Sequence, residues 1–502
     1  MRRRLGVLAV LAVVILAGCT GAPSLPADDG TTPATTQTTQ TTRTTGGETG
    51  TPADPDIDVL GWESGYWYNE TLTIDRTDGL NDSELDAVVF RSMARVEVVR
   101  GLEFQQSVPV EVISRAEYRN RTSERFSGVP VNASLHQNVK FEATFMIGEG
   151  TSAIAQRQEN RASSVLGYYS PSEDRIVIVS EDGKSPQIDE ITLSQELFHA
   201  LQQHRFNISS YVSNTEERHN AHSGIIEGDA NYVDHLYQQR CDAGWQCFTP
   251  DSSGGSGGGG EGPHVGLLAL QLQPYSDGPV FVEGIREEGG WEAVNAVYEN
   301  PPQSTEQTIH PERYLRDAPT TVTIEDRSGA AWSVPQLGND SIEYAQFGEA
   351  GMYVMLWYPS YVASQERNAP TEVVVPYSHF FNPQSSSSLD MYNYSYPASA
   401  GWDGDRLLPY VREDSAETNE TGYVWKSVWD STADAREFAA AYREVLTYHG
   451  AEPVDGRPNT YRIPDGPFAD AFSVVQNGDR VVIVNAPTVE ALSSVRAGAG
   501  TT

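Results

Sequence analysis

The stretch Ile191-Thr192-Leu193-Ser194-Gln195-Glu196-Leu197-Phe198-His199-Ala200-Leu201-Gln202-Gln203-His204 organises the reading of this chain. Leu193, Leu197, Ala200 and Leu201 recur at three- and four-residue spacing, which predicts a helix. Gln195 and His199 are four apart and share a face, with Glu196 beside them. His204 follows His199 by five positions and points elsewhere. A structural role for each residue competes with any chemical one. Thr192-Leu193-Ser194-Gln195 fits a capping box, with Thr192 as N-cap and Gln195 reaching back. His199 reads equally as a core histidine donating to Glu227, and Glu196 as a helix-face carboxylate paired with an Arg.

Gln195, Glu196 and His199 match the metal-binding pattern H-E-x-x-H with its first His replaced by Gln. In that pattern two His on one helical face hold zinc, and the adjacent Glu activates a bound water. Ile225-Ile226-Glu227-Gly228-Asp229-Ala230 opens a second expected helix, and Glu227 stands where a third ligand would come from. A neutral amide oxygen is a weak zinc ligand beside imidazole. His219 and His222, placed in a polar connection before Glu227, are the nearest compensating residues. His222 is the better of the two. His235 lies too far along its helix, and His310 reads as a structural partner in a loop.

Taken together, Gly167 to Tyr232, with Gln195-Glu196-Leu197-Phe198-His199-Ala200-Leu201-Gln202 and Glu227-Gly228-Asp229-Ala230, resembles a haloarchaeal surface lipoprotein family with gluzincin-like helices. Gly278–Glu283, Gly289–Val294, Ser304–Gln307 and His310–Tyr314 are similar to it as well. The resemblance covers most of residues 160–315 and weakens over 340–500. It implies a zincin-like fold with an edge strand above the motif helix. Implied site residues are His199, Glu227 and Gln195 around a weak or lost metal, with Glu196 as the base of any active form.

The N-terminus gives an address. Met1-Arg2-Arg3-Arg4 precedes a short apolar run ending Leu16-Ala17-Gly18-Cys19, a pattern expected of an export signal with a lipobox. Cys19 would carry the lipid, and more than one acyl chain is needed for stable anchoring. The Thr-, Pro- and Gly-rich segment 20–57 reads as a disordered tether. N-x-Ser/Thr sequons at Asn69, Asn81, Asn120, Asn132, Asn207, Asn339, Asn393 and Asn419 are glycosylation candidates, in keeping with an extracellular chain. Cys241 and Cys247 are six positions apart, so a local disulfide is expected outside the cell.

Composition points the same way. The formal net charge over 502 residues is -35, and only three lysines occur, Lys140, Lys184 and Lys426. Such a surface repels phosphate backbones, which argues against a nucleic-acid binder. It suits high salt, where charges are screened within about 3 Å. Removing Arg2, Arg3 and Arg4 with the signal leaves the exported body more acidic still.

The expected fold class is α+β: a zincin-like domain (58–315) with its motif helix under a small sheet, then a C-terminal α+β module (316–502). The first contains a strand near Val108–Ile113, placed at an edge by Pro109, a helix over Ser83–Arg100, and strands at Val165–Tyr169 and Asp174–Val179. The Gly/Ser run 252–262 reads as a loop. In the second, a strand is expected at Thr320–Ile324, a core helix at Ser341–Trp357 and a polar insertion at 360–396. Strands Gly422–Trp429, Ala471–Gln476 and Arg480–Asn485 follow, with helices Ala433–Thr447 and Thr488–Arg496. Asn477-Gly478-Asp479 makes the turn between the last two strands.

The functional expectation is an exported, membrane-anchored surface protein with a degenerate metal site, acting as a scaffold or as a module for a peptide or surface-protein ligand. An active zinc metallopeptidase is the alternative. A solute-binding lipoprotein is third, and the two similar lobes it requires are not evident.

Overall fold

The computed structural model describes residues 53–501, apart from 76–78, 127, 181–188, 250–262, 339–340, 366–371, 384, 386–388 and 413–419. The expected signal, Cys19, nearly all of the tether, the Gly/Ser run, Asn339 and Asn419 lie outside the described residues. The architecture is mixed α+β.

A short hairpin, β1 (Trp62–Glu63) and β2 (Tyr66–Trp67), leads into helix α1 (Asp82–Arg100). Asn81 caps α1 by accepting from Ser83 and Glu84 N–H, and Glu84 reaches back to the Asn81 N–H. Gly101 closes it at φ 74°, a left-handed conformation that suits glycine. Strand β3 (Val110–Ser114) follows, then α2 (Arg115–Phe126), α3 (Val131–Glu142), α4 (Ala153–Ser164), β4 (Gly167–Ser170) and β5 (Arg175–Ser180). The small sheet has the order β3-β5-β4, with β3 parallel and β4 antiparallel to β5. Pro109 thus precedes an edge strand, where its missing N–H costs no ladder bond. Strand β4 forms the other edge.

Four helices carry the middle of the chain: α5 (Glu190–Phe206), α6 (Glu216–Asp242), α7 (Val265–Val297) and the single turn α8 (Glu306–Ile309). The approach of α6 to α7 is set by glycine. A Cβ on Gly228 would lie 2.5 Å from the Gly278 backbone. Pro274 inside α7 cannot donate to the carbonyl of Leu270, and Asn220 of α6 does so instead at 2.9 Å. Two expectations change here. Helix α6 begins at Glu216, so His219 and His222 lie within it and not in a polar connection. The N-cap of α5 is Asp189, which accepts from Ile191 N–H and Thr192 Oγ1; Gln195 belongs to no capping box.

The remaining elements are β6 (Trp332–Ser333), α9 (Gly348–Gln365), β7 (Trp402–Arg412), β8 (Thr421–Trp429), α10 (Thr432–Tyr448), β9 (Glu452–Pro453), β10 (Thr460–Arg462), β11 (Ala471–Asn477), β12 (Arg480–Ala486) and the short α11 (Leu492–Val495). They build a seven-stranded antiparallel sheet of order β6-β7-β8-β12-β11-β10-β9. Residues 320–324 are not a strand. They form a coil beside β7, where a Cβ on Gly404 would meet the Thr320 carbonyl at 2.4 Å. Helix α9 starts at Gly348 because the buried Asp405 of β7 accepts from Phe347 and Gly348 N–H. The expected polar insertion at 360–396 begins with the last turns of α9 and buries Val375, Phe380, Tyr392 and Tyr394 in the core.

The largest apolar core does not stop at residue 315. Phe145 packs on Tyr442, Phe468 and Phe472, and Leu270 shares that cluster with Trp357 and Phe438. A second cluster joins α1, α5 and α6 through Val88, Leu197, Phe198 and Val233.

Candidate functional site

Helices α5 and α6 bring together the residues singled out from the sequence. His199 Nε2 of α5 lies 3.3 Å from Glu227 Oε2 of α6. Glu196, one turn before His199, receives the Tyr169 N–H of edge strand β4 at 2.6 Å through Oε2. Strand β4 therefore runs over the motif helix. His199, Glu196 and Glu227 are 0%, 1% and 3% exposed, so the group is closed from solvent.

The orientation of His199 follows from its neighbours. Gln202 Nε2 donates to the Ile226 carbonyl at 2.8 Å and to Tyr298 OH at 2.7 Å, so its Oε1 is the acceptor. That oxygen lies 2.8 Å from His199 Nδ1, which must then carry a proton. Tyr298 OH donates to Asp229 at 2.7 Å, and Arg100 holds Asp229 through two nitrogens. In the neutral ring this chain turns the Nε2 lone pair toward the Glu227 carboxylate. Two electron-rich atoms at that distance require a proton or a cation between them. Neither Gln202, Tyr298 nor Arg100 was singled out from the sequence. Gln202 at i+3 from His199, and Asp229 two positions after Glu227, were the available signals.

Some polar atoms here are left over. Glu227 Oε2 and Glu196 Oε1 are buried and make no hydrogen bond among the described residues. Burial pushes the Glu196 carboxyl up to about 7, and the charge of Glu227 adds to this. His199 and the Tyr169 N–H pull the other way. Burial also raises Asp234, which accepts from Ser194 Oγ at 3.0 Å.

The zinc test gives a divided answer. Two ligand atoms on a tetrahedral zinc at about 2.0–2.1 Å stand roughly 3.3 Å apart, and His199 Nε2 and Glu227 Oε2 meet that spacing. The Gln202 carbonyl at His199 Nδ1 fixes the imidazole in the orientation a metal ligand needs. Gln195 is 5% exposed, and its side chain makes no hydrogen bond among the described residues. It offers a neutral amide on the face where an imidazole would complete the set. The carboxylate trios whose oxygens converge within 4.8 Å lie elsewhere, at Glu142, Glu149 and Asp470 and at Glu306, Asp317 and Asp430. Arg313 already fills the second of these.

The other histidines stay apart. His204 Nε2 faces Asp174 at 2.7 Å, His222 Nδ1 faces Ser213 Oγ at 2.9 Å, and His310 Nε2 faces Glu349 at 3.1 Å. His235 pairs with Gln239 on its own helix. Cys241 and Cys247 are joined, tying the end of α6 to the following loop. That loop presents Gln246 to Arg91 and the Phe248 N–H to Glu190. Asn69, Asn81, Asn120, Asn132 and Asn207 are exposed, and Asn393 is half-buried. Among the described residues no helix is long and apolar enough to cross a membrane.

Residues 335–496 match a domain family described as a domain of unknown function (DUF8575). The match takes in α9 and β7 to β12 and leaves out the α5–α6 pair. No curated protein and no solved structure matches the chain.

Proposed function

We propose that this chain is an exported, lipid-anchored surface protein in which a gluzincin-like helix pair has given up its metal and serves as a scaffold or binding module. The carrying observation is the His199–Glu227 contact at 3.3 Å, held by the Gln202–Tyr298–Asp229–Arg100 chain, with Gln195 at the sequence position of the first motif His. A proton on Nε2 satisfies that contact as an ion pair with no metal. The burial of Glu196 and its bond to the Tyr169 N–H support the same reading, since a peptidase must admit substrate and water at that carboxylate. The edge position of β4 over α5 supports the gluzincin-like arrangement.

One observation favours the peptidase reading. Glu196 Oε1 has no hydrogen bond among the described residues, and a carboxyl pushed up to about 7 is in the range of a general base. If zinc is held, His199 and Glu227 are its ligands, and it supplies Lewis-acid polarisation and an acidified water. The deciding experiment is the metal content of full-length protein purified in high salt, with peptidase activity before and after chelation. The scaffold reading expects no stoichiometric zinc and no chelator-sensitive activity. Stoichiometric zinc with activity lost in Glu196→Ala overturns it.

A further inference from the structure

A cavity of about 220 Å³ lies between α7, the turn after α8, Asn382 and the segment Asp390–Ser395. It shares no residue with the α5–α6 site. Its lining is mixed: Val280 and Ile309 are apolar, while Asp277, Asp390 and Asn382 are polar. The two carboxylates are uncompensated. Among the described residues, Asp277 accepts only the Gln273 amide at 3.1 Å and Asp390 only the Asn382 amide at 2.6 Å, and neither forms an ion pair. The charges acting on Asp277 are those of Asp390 and Glu349, both of its own sign, and with burial they push its carboxyl well above the usual range. Behind the wall, Gln273 is fully buried. Its amide nitrogen donates to Asp277 and Thr308, both lining the cavity, and its Oε1 makes no hydrogen bond.

We propose that this cavity binds a primary ammonium on a short aliphatic stem, as carried by a lysine side chain or a free diamine. The ammonium has three N–H donors, for which Asp277, Asp390 and the Asn382 carbonyl are acceptors. The stem packs on Val280 and Ile309. A bare divalent ion suits the lining less well. Hard cations take six or more oxygens, and the apolar half of the cavity would have no role.

The test is calorimetric titration of the full-length protein with n-butylammonium in molar sodium chloride. Calcium, cadaverine and Nα-acetyl-lysine methylamide are titrated in parallel. Saturable butylammonium binding is expected, weakened at least about tenfold in Asp277→Asn and in Asp390→Asn. Ile309→Trp fills the cavity without touching either carboxylate and should abolish binding, which covers the case of an acid variant that fails to fold. Tighter binding of the lysine derivative than of cadaverine assigns the source to a protein side chain, and the reverse order to a free diamine. No saturable binding, binding of calcium alone, or equal binding by both Asn variants overturns the proposal.

Discussion

Two buried carboxylates on α5, Glu190 and Glu196, sit less than two turns apart and are met in opposite ways. Glu190 receives Arg91 at 3.1 Å, Arg95 at 2.6 Å, Tyr237 OH at 2.6 Å and the Phe248 N–H at 2.8 Å. Glu196 receives one backbone N–H on one oxygen, and its other oxygen makes no hydrogen bond. A saturated ionic network in a low dielectric holds α1, α5, α6 and the disulfide loop in one arrangement. The same low dielectric penalises a carboxylate left half-satisfied, which makes Glu196 a candidate functional position. The contrast separates the part of α5 that holds the fold from the part left with a half-satisfied acid.

The strongest way to break this contrast is Glu190→Gln. It leaves Arg91 and Arg95 buried without their carboxylate and should cost about 3–5 kcal/mol, read from denaturant midpoints in high salt. An effect below about 1 kcal/mol would make the network dispensable. Next is Gly228→Ala. Its Cβ would meet Gly278 at 2.5 Å, so α6 and α7 must separate, at a cost of about 1–3 kcal/mol, and Glu227 would move with α6. Unchanged stability would show that the helix crossing tolerates a methyl group.

Gln195→His sharpens the other side. With His199 and Glu227 already at ligand spacing, restoring the imidazole should raise zinc affinity at least about tenfold, measured by competition with a chromogenic chelator. No gain would mean that the backbone geometry has also decayed. A third carboxyl lies outside α5. Burial and the charges of Glu97 and Asp58 push Glu63 up to about 9. Burial raises Glu97 only to about 7, because it accepts the N–H groups of Gly61 and Phe104. Folding thus binds a proton that an unfolded Glu, with a pKa of about 4.3, releases. This contribution is full at acid pH and is lost as pH rises toward about 9. Glu63→Gln should flatten the fall in unfolding midpoint between about pH 5 and 9; an unchanged slope would place the proton elsewhere.

Much of the fold could be read locally. The apolar spacing of Leu193, Leu197 and Leu201 marked α5, Pro109 marked an edge, and Gly478-Asp479 makes a two-residue loop between β11 and β12. Strand β7 was missed because Asp403, Gly404, Asp405 and Pro409 interrupt its alternation. Its central acid caps a helix 57 positions earlier in the chain, and no local pattern shows such a pairing. Residues 373–396 read as polar because their serines outnumber the few buried aromatics that fix their place.

For the site, the sequence by itself determined that Gln195, Glu196 and His199 occupy neighbouring positions on one helix, since the 3.6-residue turn depends only on spacing. It also determined that the chain carries an excess of acid over its whole length. Only the tertiary structure decided which way the His199 ring is protonated, because Gln202 of α5, Tyr298 at the end of α7, Asp229 of α6 and Arg100 of α1 meet only when the four helices pack. It alone decided that Glu227 reaches His199 at 3.3 Å, because Gly228 lets α6 lie against Gly278. Hydrogen-bond direction and helix approach are relations between distant segments, and packing is what sets them.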